Sequence, residues 1–325
     1  MNNRHSTLQI LVADIGGTHA RFALAAHSET DGMILSELRV LDSGAYPSLA
    51  AVTKAYLNTL DGKRPDTACL ALAGPVRGAR AHLTNLGWSA DSAELEATLG
   101  FSRVTLINDF GALARAVPHL EAHEIQTIKH GTPDPHGPIS VMGAGTGFGL
   151  SLLIPRQDVW DLVATEGGHQ GFAPETTFER RLWDHLSAQS THVSVERVLS
   201  GAGLSQIHAV LAAEDGATLD PIEADVISRA AEAGDERAIR ALECFCDIFG
   251  SVAGNIALTQ GATGGIYLAG GVLEKNPHML EKSAFVRRFR DKEAMADYLD
   301  AIPVCLIRSP YAALKGAALW VKAGP

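Results

Sequence analysis

Positive charge is scarce in this 325-residue chain: 27 lysines and arginines stand against 37 aspartates and glutamates, a formal net charge of −10. No basic run exceeds a pair such as Arg287-Arg288, so no nucleic-acid partner is expected. Cysteine is nearly absent, and Cys69, Cys244, Cys246 and Cys305 form no C-x-x-C pair. They read as reduced core thiols of a cytoplasmic protein, which sets aside a disulfide framework. The 13 histidines include His169, His185, His192 and His208, but their spacing is irregular and no cysteine joins them, so no structural zinc is expected. The opening MNNRHSTLQILVADIGG lacks the apolar run and cleavage site of a secretory signal, and no export is expected. The longest tempting apolar stretch, Ile248 to Leu273, carries no charge but contains Asn255, Thr259, Gln260, Thr263 and seven glycines. It reads as helix, turn and strand, and no membrane partner is expected.

Two familiar nucleotide signatures are missing as well. The cluster Gly143-Ala144-Gly145-Thr146-Gly147-Phe148-Gly149 has the wrong spacing for G-x-G-x-x-G, and the apolar run Leu150 to Ile154 follows where that fingerprint needs a helix. No G-x-x-x-x-G-K-S/T occurs, which removes P-loop nucleotidases.

What remains is the composition of a folded chain, 46% hydrophobic and 20% charged, long enough for about two domains. Glycine, at 32 residues, is abundant and clustered between apolar runs. Leu8 to Ala13 and Ala20 to Ala25 read as a hairpin with a glycine-rich tip. A helix is predicted over Ser48 to Leu60 behind a serine N-cap, then a buried strand over Ala68 to Ala73. A second helix at about Ser92 to Leu99 and a strand over Arg103 to Ile107 follow. The stripe Phe110, Leu113, Ala114 and Val117 is helical and stops at Pro118. Beyond a loop from His130 to Pro138, a strand begins at Ile139. Helical stripes follow at Phe178/Leu182/Leu186, at Leu204/Ile207/Leu211 and from Ile239 to Ile256, the last closed by Gly261. Ile266 to Ala269 and Val304 to Ile307 read as strands, and Leu314 to Val321 as a final helix. Strand-then-helix order in both halves implies two α/β domains, with a change near residue 110.

The glycine clusters are where chemistry is expected. In Asp14-Ile15-Gly16-Gly17-Thr18, adjacent glycines let backbone N–H groups approach a phosphate, and a carboxylate at the strand end suits a hydrated Mg²⁺. Gly143 to Gly149 is a second such tip. Gly264-Gly265 and Gly270-Gly271 flank the strand Ile266 to Ala269, and a glycine pair at a strand end allows a flat ring to lie on the backbone. Asn108 and Asp109 fall at the carboxyl end of a strand, where α/β sheets present catalytic groups. Glu166-Gly167-Gly168-His169, and a helix predicted over Ser194 to Gly201 bearing Glu196, supply the mixture of donors and acceptors that grips a polyhydroxylated ligand.

The blocks DIGGTHARFAL, LINDFGALA, GAGTGFGLS, EGGHQGFAP, VERVLSG and GGIYLAGGV, in order across about 260 residues, resemble the bacterial glucokinase family of the actin-like ATPase superfamily. The resemblance spans about Leu8 to Val321. It implies a two-domain actin-like ATPase (ribonuclease H-like) α/β fold with an active-site cleft between domains. The small domain would comprise 1–109 plus 310–325, the large one 110–309. It further implies ATP and Mg²⁺ as cofactors, glucose as substrate and a homodimer. By that similarity Asp14, Gly16, Gly17 and Thr18 form a first phosphate loop, with Asp14 holding Mg²⁺ through water. Gly143, Gly145, Thr146 and Gly147 form a second, and Gly264, Gly265, Gly270 and Gly271 meet the adenosine. Asn108, Asp109, Glu166, His169 and Glu196 are implied sugar contacts, with Asp109 as the catalytic base. His19 stands where the family commonly has asparagine; its imidazole can still donate one hydrogen bond, so either the loop works unchanged or that contact becomes pH-dependent. The segment GHQGFAPETTFERR has none of the cysteines of the zinc loop in the related repressor/kinase subfamily, so that subfamily is not supported.

Three other readings share some of these residues. A kinase for mannose, fructose or an amino sugar would use the same groups. A non-catalytic sugar sensor would leave Asp109, Asp14 and Thr18 without purpose, and a glycoside hydrolase built on Asp109 and Glu166 would leave the glycine clusters idle.

Overall fold

The computed structural model describes residues 9–28, 32–62, 64–83, 85–157, 159–217 and 221–323. The expected strand start at Leu8, and the segment before it, lie outside these residues. The chain forms two compact units, one made of the residues up to Leu120 with those from Ser309 onward, the other of Glu121–Arg308.

In the first unit β1 (Ile10–Ile15), β2 (His19–Ser28) and β3 (Gly32–Asp42) form an antiparallel meander. Helix α1 (Leu49–Leu57) leads to β4 (Thr67–Leu72), which lies parallel to β1. A small antiparallel sheet of β5 (Val76–Arg77), β6 (Arg80–Leu83) and β7 (Trp88–Asp91) precedes α2 (Ser92–Leu99). Then β8 (Arg103–Asn108) pairs in parallel with β4 and runs into α3 (Asp109–Ala116), so the main sheet has the order β3-β2-β1-β4-β8. The chain returns to this unit at its end as α12 (Ala312–Ala323), the twelfth α-helix in chain order.

The alternation of side chains along β1 sorts the core. Leu11, Ala13 and Ile15 face α1, α2 and the small sheet, where Phe22 and Tyr56 stack with ring centroids 4.8 Å apart. Val12 faces the opposite way, with Ala23, Cys69, Ala71 and Ile107, against α3 and α12. Ser48 caps α1 as expected, accepting a hydrogen bond from Ala51 N–H.

The second unit opens with β9 (Ile125–Lys129) and repeats the plan. Strands β10 (Ile139–Ala144), β11 (Phe148–Arg156) and β12 (Val159–Thr165) form an antiparallel meander. Helices α4 (Thr177–Ser187), α5 (Gly201–Glu214), α6 (Ala224–Glu232) and α7 (Glu236–Gln260) intervene before β13 (Gly265–Ala269), which is parallel to β10. After α8 (Gly271–Lys275), α9 (Pro277–Lys282), α10 (Phe285–Arg290) and α11 (Ala296–Ala301) comes β14 (Val304–Ile307), parallel to β13. The order is β12-β11-β10-β13-β14-β9. Helix α7 has the length and apolar character of a membrane span, but most of it lies in the core of this unit, where Phe245 and Phe249 are fully buried. Gly261, at φ +60°, closes it in the left-handed region.

Two expectations differ from what is observed. The helix that begins at Asp109, placed on the far side of a change near residue 110, belongs to the first unit because it packs along α12. Residues 194–200 form an isolated bridge and turns rather than a helix, and α5 begins only at Gly201, capped by the Ser200 hydroxyl.

The α3–α12 contact is close. A Cβ at Gly316 would overlap the Ala112 carbonyl, and Arg115 lies 5.2 Å over the Trp320 ring. Because the obstacle is backbone, Gly316→Ala is expected to cost about 1–3 kcal/mol of stability, read as a lower midpoint in urea denaturation with unchanged m-value.

Candidate active site

In the first unit the parallel register aligns Ile15, Leu72 and Asn108 across β1, β4 and β8. The residues that follow, the Gly16-Gly17-Thr18 tip and Asp109, therefore emerge at one edge of the sheet. Gly16 N–H donates to the His19 carbonyl at 2.9 Å, closing a two-residue tip at Gly17-Thr18. The buried Ser43 secures that tip twice: its N–H donates to Thr18 O at 3.0 Å and its hydroxyl to Gly16 O at 2.9 Å. Asn108 caps α3 by accepting from Gly111 N–H at 3.0 Å, while its amide donates to Gly74 O at 3.2 Å. Asp109 is the first residue of that helix, and its Oδ1 accepts from Phe110 N–H at 2.9 Å.

The electrostatics of this edge are strained. Burial raises the Asp14 carboxyl above its ordinary value, although Arg21 Nη1 lies 3.1 Å from Asp14 Oδ2. Burial, and then the charge of Asp14, push Asp109 up to about 7; the Phe110 N–H opposes this only in part. Arg21 was not singled out from the sequence. Its signal was there, because Asp14 and Arg21 are equidistant from the Gly17-Thr18 tip and so face each other across the hairpin.

In the second unit the β10–β11 hairpin ends in Gly145-Thr146-Gly147, closed by Gly145 N–H to Gly147 O at 2.9 Å. The N–H of Gly201, at the start of α5, donates to Gly145 O at 2.8 Å. Thr146 is exposed at the tip, whereas Gly143 is buried inside β10. The register Gly143↔Ala269 brings Gly270-Gly271 to the same edge. Gly270 must be glycine: its φ is +99° and a Cβ would overlap the Ala144 carbonyl. Gly264 and Gly265 lie at the other end of β13, five residues or roughly 15 Å away along a strand. There Gly264 packs on the Gly137 carbonyl. The structure thus does not bring these two glycine pairs together.

Glu166, Gly167, Gly168 and His169 form a single turn after β12, with His169 N–H donating to Glu166 O at 3.0 Å. The turn is pressed onto β11, since a Cβ at Gly167 would overlap Leu150 and one at Gly168 the Phe148 carbonyl. Segment 193–196 runs alongside it. Phe172 N–H donates to Val193 O, Val195 N–H to Gln170 O and Glu196 N–H to Gly168 O, each at 2.9 Å. Here too His192 Nε2 lies 2.9 Å from the His169 carbonyl. The Glu196 carboxylate accepts from Phe148 N–H at 2.8 Å, at the base of the hairpin tip. Glu166, His169 and Glu196 are thereby assembled with the Gly145–Gly147 tip in one hydrogen-bonded group.

Two expected outcomes follow from this geometry. A Cβ at Gly145 would meet open space and its φ is not positive, so Gly145→Ala should raise the urea midpoint slightly while Gly270→Ala lowers it. For Asp109, a raised folded pKa means that the native state holds its proton to higher pH than the unfolded chain does. Stability is then fullest below the ordinary value of 3.8 and falls as pH rises to about 7. Asp109→Asn is accordingly expected to raise Tm at pH 8, with the two Tm curves converging toward pH 4.

Comparison with known proteins gives a consistent result. The family model described as Glucokinase matches residues 11–324. A glucokinase of Saccharophagus degradans is 41% identical over 312 residues, 96% of this chain and 97% of that one. The crystal structure of a glucokinase from an Antarctic psychrotroph superposes with a TM-score of 0.84 at 38% identity, covering 98% of this chain and 99% of that one. A ROK family glucokinase from Streptomyces griseus, solved with glucose and AMPPNP, shares the fold at a TM-score of 0.67 and 21% identity, covering 97% and 100%. The actin-like α/β fold is common to these structures, and by its match along nearly the whole length the chain belongs to the glucokinase family.

Proposed function

We propose that this protein phosphorylates glucose at its 6-hydroxyl with ATP, giving glucose 6-phosphate and ADP. The observation that carries the reading is Asp109, a carboxylate at a strand end with its pKa raised to about 7, near the pH at which a general base is most effective. The relationship to a glucokinase of Saccharophagus degradans along 96% of the chain supports glucose as the acceptor. The AMPPNP named with the Streptomyces griseus relative supports ATP as the donor.

In this reading Asp109 takes the proton of the 6-hydroxyl as that oxygen attacks the γ-phosphorus in line. Asn108 contacts the sugar in this reading, as do Glu166, His169 and Glu196. Gly16, Gly17 and Thr18 in one hairpin, and Gly145, Thr146 and Gly147 in the other, offer backbone N–H and hydroxyl donors to phosphate oxygens. Gly143 supports the second hairpin from within β10, and Gly270 and Gly271 leave room beside it for the nucleoside. Gly264 and Gly265, at the far end of β13, serve the fold instead. The acceleration arises mainly from positioning and charge neutralisation.

Asp14 fits a cation. Arg21 pairs with only one of its oxygens, and burial still raises its pKa, so the carboxylate is short of positive charge. A Mg²⁺ held there through water would neutralise phosphate charge. A homodimer in the cytoplasm, where free thiols stay reduced, completes the reading.

ADP release from Mg·ATP across a panel of hexoses, with the phosphorylated position identified, tests the substrate. Turnover with glucose yielding glucose 6-phosphate is expected. Turnover that prefers mannose or fructose would change the substrate, and none with any sugar would overturn the kinase. A positioned base supplies about 10² to 10⁴ in rate, roughly 3–5 kcal/mol. Asp109→Ala should therefore lower kcat at least about 100-fold, with a smaller change in glucose Kd. The wild-type kcat should rise with pH through an apparent pKa near 7; a flat profile between pH 6 and 8 would remove Asp109 as the base.

A further inference from the structure

Glu196 occupies an unusual position among the groups of the second unit. Its backbone N–H is bound to Gly168 O, inside the turn that carries Glu166 and His169. Its side chain reaches the other way, where Oε2 accepts from Phe148 N–H at 2.8 Å and lies against Gly147 so closely that a Cβ there would overlap it. Glu196 forms no ion pair among the described residues, Arg197 lining the same cavity without pairing with it, and its carboxylate lies at the tip that also carries the Thr146 and Gly147 N–H groups. A carboxylate there opposes any anion that approaches those donors, and it already holds a neighbouring N–H. The second carboxylate oxygen, Oε1, has no hydrogen bond among the described residues.

We propose that Glu196 couples the two substrates: its carboxylate guards the Gly145–Gly147 tip against phosphate, and sugar hydroxyls that draw the carboxylate toward themselves open the tip to the nucleotide. The inference rests on the reading above, in which this hairpin meets phosphate and Glu196 meets sugar. It assigns Glu196 a role that a plain sugar contact lacks, namely an effect on nucleotide affinity when no sugar is present. Coupling of this kind is reciprocal, so nucleotide and glucose each tighten the other to the same degree. An enzyme so arranged keeps its phosphate site weak until the acceptor hydroxyl is in place, which limits transfer to water.

The test is the Kd of Mg·ADP, measured by calorimetry on the full chain without sugar and again at saturating glucose. Glu196→Gln keeps the shape of the side chain and an oxygen that can accept from Phe148 N–H, but removes the charge. It should bind Mg·ADP more tightly than wild type without sugar by at least about fivefold, the lower end of ordinary coupling between sites. Glucose should then change the ADP affinity less in the variant than in wild type. Glu196→Ala, which also removes the charge, carries the same expectation should the glutamine variant fail to fold. Unchanged ADP affinity without sugar would reduce Glu196 to a sugar contact, and weaker affinity would make it a prop for the hairpin; either result overturns the proposal. Wild-type protein that releases no ADP from ATP with any sugar would instead overturn the kinase reading beneath it.

Discussion

The confinement of two carboxylates, Asp14 and Asp109, to one edge of a buried sheet is the constraint on which the first unit is organised. Burial raises the pKa of both, and the charge of Asp14 adds to the cost of ionising Asp109. The chain opposes this with partial measures: one guanidinium contact from Arg21 on Asp14, and the first N–H groups of α3 near Asp109. Neither is complete. A full complement of positive charge would lower Asp109 toward an ordinary carboxylate, which under the proposed reaction would make it a weaker base near neutral pH. A helix start alone, with no second carboxylate nearby, would lower it as well. The near-neutral value thus rests first on burial of Asp109, with the nearby charge of Asp14 adding to it.

The surrounding architecture holds that edge in place from behind. Strand β8 feeds directly into α3, so the position of Asp109 follows from where α3 lies, and α3 lies where α12 permits. Gly316 lets the two helix backbones come together, and small residues at Ala112, Ala317 and Ala318 line the contact. The last helix of the chain therefore sets the placement of a residue two hundred positions earlier. Both units use the same strand plan, an antiparallel meander followed by two parallel strands, and both end the first hairpin in a glycine-rich tip. They restrain those tips differently. Ser43 anchors the first from the stretch after β3, whereas the start of α5 and the Glu196 carboxylate anchor the second.

Much of this was legible in the sequence wherever the signal was local. Ser48 and Gly261 mark helix ends by the conformations they favour, and Asn108-Asp109 stood at a strand-to-helix junction because a buried run was followed by a helical stripe. The short strands β5, β6 and β7 escaped notice, being too brief to show alternation. Residues 194–200 were misread because Val195, Val198 and Leu199, with polar residues between, imitate a helix. Residues 197–199 do bond locally to 194 and 195, but Ser194, Val195 and Glu196 pair with residues 168 to 171, more than twenty positions back, a pairing no local pattern reveals. Glycine was the hardest case. Composition groups Gly145, Gly264 and Gly270 together, yet the space around each differs: open at Gly145, filled by the Gly137 carbonyl at Gly264, and at Gly270 both filled and in a conformation that disfavours side chains.

That distinction separates two uses of the same residue. At Gly168 and Gly270 the backbone itself fills the space a side chain would take, so glycine is demanded by internal packing, whereas at Gly147 and Gly167 the neighbour is a side chain, Glu196 or Leu150. At Gly145 and Gly271 nothing in the protein requires it, since neither has a positive φ and a Cβ would meet no atom. Glycine in a sheet edge or helix start costs conformational entropy on folding, about 0.5–1 kcal/mol relative to alanine. In the proposed reading these two positions are where a ligand group lies against the backbone. The required glycines make the Glu166–His169 turn and the β10–β11 hairpin a single tightly packed piece, and the unrequired ones mark the surface that this piece presents.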